Sequence, residues 1–341
     1  MDDRKELPFE MPPLVTYHNQ ACPGVVAMRS PGGMGWYLNN AIQLSVEKKF
    51  LRGYTTPLLK IIGCTYSDIS VIQYVTVNVK YIYENLVNAI VKMLDEGKYV
   101  GFMNADDFYI PGKSWYGVRH FKHDGMIIGY DLEDRTFTLL AYDSAWIFRS
   151  FAVPMGCFLD AFAPLPRRNL FGTLYVASPV KVEVPLDIHK ILQDIDQYLD
   201  SNLDKYPMID DGKTAYGIVV LKYIAEYLEC LRDGRIPYSR MDRRIVRLLL
   251  DHKMLMRKRI AAVSFELGLS GCFEEEYMVI VDMLQSMQFQ YKKFELRPNM
   301  YALERMIENI RQIYERERDI LSRFVEVASL EWYKRKEKCI L

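Results

Sequence analysis

The sequence has little that would mark a highly charged, metal-binding or membrane protein. Its 341 residues contain 44 basic and 44 acidic side chains, so the overall charge does not point to nucleic acid or another polyanion. The six cysteines are scattered without a C-x-x-C pair, which argues against a zinc site and predicts reduced thiols. No apolar run approaches the roughly 18 residues of a membrane span, and the N-terminus lacks an apolar signal segment. We therefore expect a soluble, cytoplasmic protein without a metal.

The apolar content, in contrast, is ample. Half of the residues are apolar and 13% are aromatic, enough for a sizeable core and two domains. Over residues 1–183, a predicted helix at 34–50 is followed by short β-rich runs, a pattern typical of an α+β domain. Over 184–341, helical periodicity dominates. We predict a mixed α+β domain over 1–183 followed by an all-α domain over 184–341.

A β-hairpin is the most distinctive local prediction. Two runs rich in β-forming residues, 123–130 and 136–142, flank a polar turn around Glu133. Folding the chain there pairs Ile127 with Leu139 and, further out, His123 with Asp143. A carboxylate beside a histidine can fix its tautomer and stabilise its charged form. The hairpin therefore predicts a general base, His123, oriented by Asp143, unless a bulge shifts the register. The alternative role for Asp143 is to cap the turn into Ser144.

Cys22 is the best candidate for a nucleophile. Pro23 suits the first turn of a helix, so Cys22 is expected at a helix N-terminus, where the helix dipole lowers a thiol pKa. Taken alone, Cys22 is more often an inert buried thiol, since free cysteine is among the most buried residue types. His18, four residues earlier, is a rival base. His120 is another rival and could instead bind substrate.

Other polar residues near these positions have less specific interpretations. Asn19 and Gln20 could donate to an oxyanion beside Cys22, although polar turn residues explain them equally well. Asp106 and Asp107 have no histidine at nearby ligand spacing, so we interpret them as a solvated loop without a metal.

The second half contains a basic segment and a long apolar stripe. Four arginines are predicted on one helical face, where they form either a solvated surface or a docking patch for an acidic partner: Arg240, Arg243, Arg244 and Arg247. An apolar stripe recurs at helical spacing: Leu303, Met306, Ile310 and Ile313. The stripe would pair two chains in a homodimer or pack within one chain.

Three motifs resemble a known family. They are Asp107-Phe-Tyr-Ile-Pro111, Arg119-His-Phe-Lys-His123 and Ile128-Gly-Tyr-Asp131. Over residues 14–178 the chain resembles the N-terminal-domain family of butirosin-biosynthesis protein H. These are papain-like cysteine acyltransferases of natural-product pathways, similar in type to the amide synthase of closthioamide biosynthesis.

The resemblance implies a papain-like domain with a catalytic triad of Cys22, His123 and Asp143. The cysteine would take an acyl group from an acyl or peptidyl carrier protein and pass it to a small amine, forming an amide in natural-product or antibiotic biosynthesis. No cofactor is implied beyond the phosphopantetheine arm of the carrier. The aromatic loop with Tyr109 and Trp115 would wall the acyl pocket, and the arginine face or the helical domain would dock the carrier.

Two alternatives remain open. The same site could pass its acyl group to water, as a cysteine peptidase or thioesterase does. The chain could also be a non-catalytic scaffold that keeps the papain-like shell. Acyl products formed with and without an amine distinguish transfer from hydrolysis, and the reactivity of Cys22 distinguishes both from a scaffold.

Overall fold

The computed structural model describes residues 3–52, 56–163, 172–201, 213–270 and 272–340, with residues 338–340 described by their backbone only. The described α-helices are α1 (His18–Ala27), α2 (Gly33–Asn39), α3 (Leu86–Asp95), α4 (Met155–Asp160), α5 (Ile188–Asp200), α6 (Val220–Arg232), α7 (Arg244–Leu267), α8 (Phe273–Leu296) and α9 (Met300–Ile340). The described strands are β1 (Arg4–Glu6), β2 (Leu44–Glu47), β3 (Leu59–Ile61), β4 (Ile72–Asn78), β5 (Tyr99–Asp106), β6 (Lys122–Asp131), β7 (Thr136–Tyr142), β8 (Phe148–Pro154), β9 (Thr173–Pro179) and β10 (Thr214–Tyr216). The predicted mixed α+β class, with a helical C-terminal region, is confirmed.

The chain divides into two compact units. One unit contains residues 1–36 and 64–184, and the other contains 37–63 and 185–341. The predicted boundary at 183/184 lies beside this division, but segment 37–63 was expected in the first domain. It lies in the second unit because β2 pairs with both β3 and β10.

The first unit is built on a seven-stranded antiparallel sheet. The strand order is β4-β9-β5-β6-β7-β8, and β1 pairs with the end of β6. Helix α1 packs against β6 and β9. It does so through an almost continuously buried surface that includes Ala21, Val25 and Val26. This packing holds Cys22 close to the central strands.

The predicted hairpin is present, but its open end differs from the prediction. Ile127 pairs with Leu139 as expected, yet the recorded pairing ends at Met126–Leu140. On the other edge of β6, His123 stands opposite Ala105 of β5. The imidazole bonds Asp107, whereas the Asp143 carboxylate bonds the backbone of Ala145 and Ile147, so the predicted His123–Asp143 pair is wrong.

A β-bulge between β5 and β6 reshapes the middle of the sheet. Phe102 pairs with Gly125 and Ala105 with His123, so Met103 and Asn104 together stand opposite the single residue Asp124. Asn104 has φ of 65°, the left-handed conformation that asparagine tolerates better than most residues. Its backbone N–H donates to Asp124 at 3.3 Å.

The second unit combines a small sheet with helices α5 to α9. The prediction of an all-α domain over 184–341 is wrong, because β10 lies in that range and pairs with β2. The strand order is β10-β2-β3, and α9 contacts α5, α6, α7 and α8. The predicted helix over 34–50 ends at Asn39 because 44–47 forms strand β2. Buried Arg259 donates to the carbonyl oxygens of Tyr37, Leu38 and Ala41, which satisfies acceptors where α2 ends.

The apolar stripe of α9 is internal to this unit. Leu303, Met306, Ile310 and Ile313 all have 0% exposure within the single chain. The intrachain alternative therefore accounts for the stripe, and it offers no surface to a second copy. Among the described helices, none combines the length and apolar character needed to cross a membrane.

A buried ion pair in this unit gives a stability prediction. Lys253 Nζ lies 2.7 Å from Glu317 Oε2, and both side chains are fully buried. Tyr198 and Tyr277 donate to the same carboxylate. Glu317→Gln leaves the Lys253 ammonium without a counter-ion, so we expect the free energy of unfolding to fall by about 3–5 kcal/mol in denaturant titrations.

Glu315→Gln is the matched control, since Glu315 is an exposed residue of the same helix. We expect it to change stability by less than about 0.5 kcal/mol. Equal effects of the two substitutions would contradict a structural role for the buried pair.

Candidate active site

Cys22 occupies the second turn of α1, not its N-terminus. The helix begins at His18 after Tyr17, whose backbone is extended, and Pro23 lies inside the helix. The thiol is buried, with 3% of the residue exposed. Burial raises the pKa of Cys22, the charge of Asp124 raises it further, and Lys113 opposes both. The predicted lowering of this pKa is therefore wrong, because desolvation outweighs any benefit from the helix dipole.

Cys22 lines a cavity of about 290 Å³ in the first unit. The other lining residues are His18, Asn19, Thr65, Tyr66, Ser67, Tyr74, Gly101, Phe102, Met103, Asp124, Gly125 and Tyr175. They come from α1, from the segment before β4, and from strands β4, β5, β6 and β9. A small ligand in this cavity would therefore lie beside the thiol.

A histidine–carboxylate pair lies close to this cavity. His123 Nδ1 is 3.0 Å from Asp107 Oδ2. An ionised carboxylate can only accept, so Nδ1 carries the proton and the lone pair is on Nε2. Asp107 is 2% exposed and Asp106 is 6% exposed. The prediction that they form a solvated loop is wrong, because the chain turns inward after the bulge and buries both carboxylates.

Lys113 supplies a positive charge behind this pair. Its Nζ lies 3.5 Å from Asp107 Oδ1, and the ammonium group is almost completely buried. Burial lowers the pKa of Lys113, whereas the neighbouring Asp107 raises it. The Asp107 carboxylate thus lies between Lys113 and His123. In this low-dielectric environment the two contacts hold the carboxylate in position.

Asp143 does not orient His123. Its carboxylate accepts from the backbone N–H groups of Ala145 (2.8 Å) and Ile147 (2.9 Å) and from the Arg149 side chain. Burial would raise the pKa of Asp143, but these donors outweigh burial and hold it below the usual range. The predicted orienting role is wrong for a physical reason: the acceptor oxygens of Asp143 already organise the turn before β8.

His18 connects the cysteine helix to His123. It is one helical turn before Cys22, and its ring lies 4.5 Å from that of His123, centroid to centroid, in an edge-on contact. Burial lowers the pKa of His18, and the charges of Lys113 and His123 lower it further. The neutral ring accepts the Tyr142 backbone N–H at Nε2, 3.1 Å away. Its proton is therefore on Nδ1, which makes His18 a donor and a poor general base.

His120, the other rival, belongs to a second histidine–carboxylate pair. Its Nδ1 lies 2.7 Å from Asp106 Oδ2, and its ring contacts Phe108 and Tyr109. None of these residues lines the cavity beside Cys22. His18, in contrast, lines that cavity together with Cys22.

The predicted aromatic pocket wall also lies elsewhere. Tyr109 packs on His120, and Trp115 packs under the Arg119 guanidinium at 3.7 Å. Neither lines the cavity, whose aromatic walls are Tyr66, Phe102 and other rings absent from the predicted set.

The two predicted oxyanion donors have different surroundings. Asn19 is exposed on α1 and lines the cavity. Gln20, the next residue, is 4% exposed and is not among the lining residues. The structure therefore brings Asn19, but not Gln20, to the cavity that contains Cys22.

The four predicted carrier-binding arginines lie on and before α7 in the second unit. Arg240 and Arg243 precede the helix, so the four do not share one helical face. Arg243 pairs with Glu295 at 3.7 Å, Arg244 with Asp242 at 2.6 Å and Arg247 with Asp251 at 2.9 Å. The three paired side chains remain about half exposed, so these contacts reduce the positive charge of the surface without covering it.

Two further predictions concern the state of the cysteines and the absence of a metal site. Cys22, Cys64, Cys157, Cys230 and Cys272 form no disulfides, and the Cys339 side chain lies outside the described residues. Within the described ranges, no cluster of three or more His, Cys, Asp or Glu side chains is suited to a metal ion.

The sequence matches no protein-family model, and no curated protein matches it significantly.

The cavity also gives a prediction about Gly101. A Cβ atom there would lie 2.2 Å from the Tyr66 hydroxyl oxygen, and Tyr66 is stacked on Tyr175 with ring centroids 4.5 Å apart. We expect Gly101→Ala to lower the free energy of unfolding by about 1–3 kcal/mol and to slow alkylation of Cys22. Denaturant titration and alkylation followed by peptide mass would measure the two effects.

Gly156→Ala is the control, since a Cβ atom there meets nothing within 4 Å. Tyr66→Phe in the Gly101→Ala background removes the clashing oxygen and should recover part of the lost stability. No loss in Gly101→Ala, or no recovery in the double variant, would contradict the described wall.

Proposed function

We propose that this chain is a papain-like, cysteine-dependent acyltransferase that transfers an acyl group from a carrier-protein thioester to an amine. The observation that carries the proposal is the cavity lined by Cys22 and His18, with His123 held against His18 by the buried carboxylate of Asp107. A thiol, an oriented imidazole and a neighbouring donor are the groups that acyl transfer through a covalent intermediate requires.

The first half of the reaction loads the cysteine. His123 Nε2 accepts the Cys22 proton, and the sulfur attacks the thioester carbonyl to form a new carbon–sulfur bond. The bond from the carbonyl carbon to the pantetheine sulfur then breaks, and the leaving thiolate takes the proton from His123. The raised pKa of the buried thiol means that this proton transfer must accompany attack, because a resting thiolate is disfavoured.

The second half discharges the acyl-cysteine. The amine nitrogen attacks the carbonyl carbon and transfers a proton to His123. The carbon–sulfur bond breaks, and His123 returns that proton to the Cys22 sulfur. His18 Nδ1–H and the Asn19 amide are the proposed donors to the oxyanion in both halves, since both residues line the cavity.

The carrier surface is part of the same proposal. Carrier proteins of this chemistry present an acidic surface, and the arginines from Arg240 to Arg247 remain partly exposed despite their internal ion pairs. Docking that depends on them would weaken as ionic strength rises.

Product analysis tests transfer directly. Acyl-pantetheine thioesters are incubated with the protein, with and without a primary amine, and the products are separated by mass. The proposal predicts amide as the main product when the amine is present. Free acid as the main product in both reactions would favour a cysteine peptidase or thioesterase with the same site.

The buried state of Cys22 favours a second candidate, a non-catalytic binding protein. A thiol whose pKa is raised by burial is the expected state of an inert structural cysteine. This candidate predicts slow alkylation of Cys22 and no acyl adduct. The acyltransferase requires an adduct with at least one thioester.

A further inference from the structure

Asp124 is the most conspicuous charged group that the reaction above does not use. It lines the cavity together with Cys22, and within the described residues it forms no ion pair. Its only hydrogen bond there is the long one from the Asn104 N–H in the bulge. A partly buried carboxylate without a counter-ion is costly, and such groups are usually paired.

The neighbouring basic side chains are committed elsewhere. Lys113 and His123 both contact the Asp107 carboxylate, and neither lies within ion-pair distance of Asp124. Burial raises the pKa of Asp124, although the Asn104 N–H and the charges of His123 and Lys113 oppose this effect. The cavity thus contains an acceptor that a cationic ligand would satisfy.

The rest of the wall suits a cation with a short apolar body. The rings of Tyr66, Tyr74 and Tyr175 lie within 6.0 Å of one another, centroid to centroid, and all three line the cavity. Burial raises the pKa of Tyr175 most, Tyr74 raises it further, and the charge of Asp124 raises it as well. The electrostatic influence of Asp124 therefore extends to this cluster of rings. Aromatic rings beside a carboxylate attract ammonium groups and accept alkyl chains.

Two glycines keep the space open. A Cβ atom on Gly125 would lie 2.6 Å from the Phe102 ring, and one on Gly101 would meet Tyr66. The bulge places Asp124 opposite Met103 and Asn104, next to Gly125 on β6. Bulges commonly redirect a side chain toward a functional site.

We propose that the cavity beside Cys22 binds a group carrying a protonated amine, with Asp124 as its anchor. The inference rests on the proposed function only for the identity of the substrate that brings this group. That substrate is either an aminoacyl donor loaded on Cys22 or an acceptor with a second amine besides the one that attacks.

Charged thiol reagents test the anchor without requiring catalysis. 2-Aminoethyl, ethyl and 2-sulfonatoethyl methanethiosulfonates differ chiefly in charge. Each transfers its alkylthio group to a cysteine sulfur, forming a disulfide and releasing methanesulfinate and the thiol proton. Rates at Cys22, resolved by peptide mass, should follow the order cationic, neutral, anionic in the wild type.

Asp124→Asn should lower the cationic-to-neutral rate ratio about tenfold, because one negative charge near the thiol is lost. Asp134→Asn is the matched control, since it removes the same charge from the exposed hairpin turn. A wild-type rate with the anionic reagent equal to or above the cationic rate would overturn the proposal. So would an Asp124→Asn ratio equal to that of Asp134→Asn.

Substrate comparisons then identify the source of the amine. The first arm compares how fast aminoacyl and size-matched acyl pantetheine thioesters load Cys22. The second arm compares how fast a diamine and a size-matched monoamine discharge the acyl-cysteine. A preference of about tenfold for the aminoacyl donor, or for the diamine, that is lost in Asp124→Asn identifies which substrate carries the bound amine. Efficient turnover with no preference in either arm would overturn the anchor even if acyl transfer occurs. Cation-selective labelling without any acyl adduct would refute the proposed function alone.

Discussion

Cys22→Ala is expected to abolish acyl transfer, with kcat/KM lowered at least about 10⁴-fold. Removing the nucleophile leaves only binding and oxyanion donors, which cannot form the covalent intermediate. Because the side chain is small and buried in α1, the loss of one sulfur should leave the fold intact. Turnover of an acyl-pantetheine thioester and the thermal unfolding midpoint would be measured on the same preparation.

Cys157→Ala is the control for this experiment. Cys157 is a partly exposed thiol on α4 in the same unit and does not line the cavity. We expect its variant to keep wild-type kcat/KM. Activity retained in Cys22→Ala, or lost equally in both variants, would contradict the assignment of the nucleophile.

Asp107→Asn is expected to have the second-largest effect, lowering kcat about 10³–10⁴-fold. An amide in place of the carboxylate can hydrogen-bond the opposite tautomer of His123 and cannot stabilise its charged form. The two side chains are of nearly equal size, but the change leaves the buried Lys113 ammonium without its counter-ion, so kcat is measured below the unfolding midpoint of the variant. Kinetics with saturating thioester would show a fall in kcat with little change in KM.

Asp143→Asn tests whether Asp143 stabilises the turn before β8, as the structure indicates, or orients His123, as the hairpin register predicts. Since Asp143 binds the turn at 145–147 and Arg149, we expect near-normal kcat and a loss of about 1–3 kcal/mol in unfolding free energy. The folded-state pKa of Asp143 is lowered, so its contribution is present above the unfolded-state pKa. It disappears as the pH falls through the folded-state value. The stability difference from wild type should shrink over that acidic range. A larger fall in kcat for Asp143→Asn than for Asp107→Asn would contradict the structure.

The sequence was most informative where alternation and turn residues acted together. The strands flanking Glu133 have a strong β-forming pattern, and the structure confirms the pairing of Ile127 with Leu139. The two-part organisation was also visible, because helical periodicity persists after residue 185. Local patterns of this kind depend on neighbouring residues and need no knowledge of distant contacts.

The partner of His123 could not be found in the same way. A register extended from the hairpin selects Asp143, but the pairing of β6 with β7 stops at Met126–Leu140. On the other edge of β6, the bulge at Met103 and Asn104 places Ala105 opposite His123. Asp107 then follows directly after the strand and reaches the imidazole. The one sequence signal for the partner of His123 was the pair of aspartates, Asp106 and Asp107, at the end of an apolar strand. The bulge itself has no reliable sequence pattern.

The segment 37–63 and the thiol pKa show a similar dependence on tertiary structure. Residues 44–47 have an apolar spacing compatible with a helix, yet pairing with β3 and β10 makes them a strand. The environment of Cys22 depends on burial against the sheet, which residue spacing near Pro23 does not reveal. Asp124 and Tyr66 were missed for the same reason, since the cavity joins strands distant in the sequence.

The most direct test of the acyltransferase account is the mass of the protein after brief exposure to acyl-pantetheine thioesters, followed by peptide mapping. The account predicts an acyl-sized increment on the peptide containing Cys22, absent in Cys22→Ala and removed by added amine with formation of the amide. Acylation confined to another residue, or no increment at Cys22 across thioesters of different chain length and charge, would contradict it.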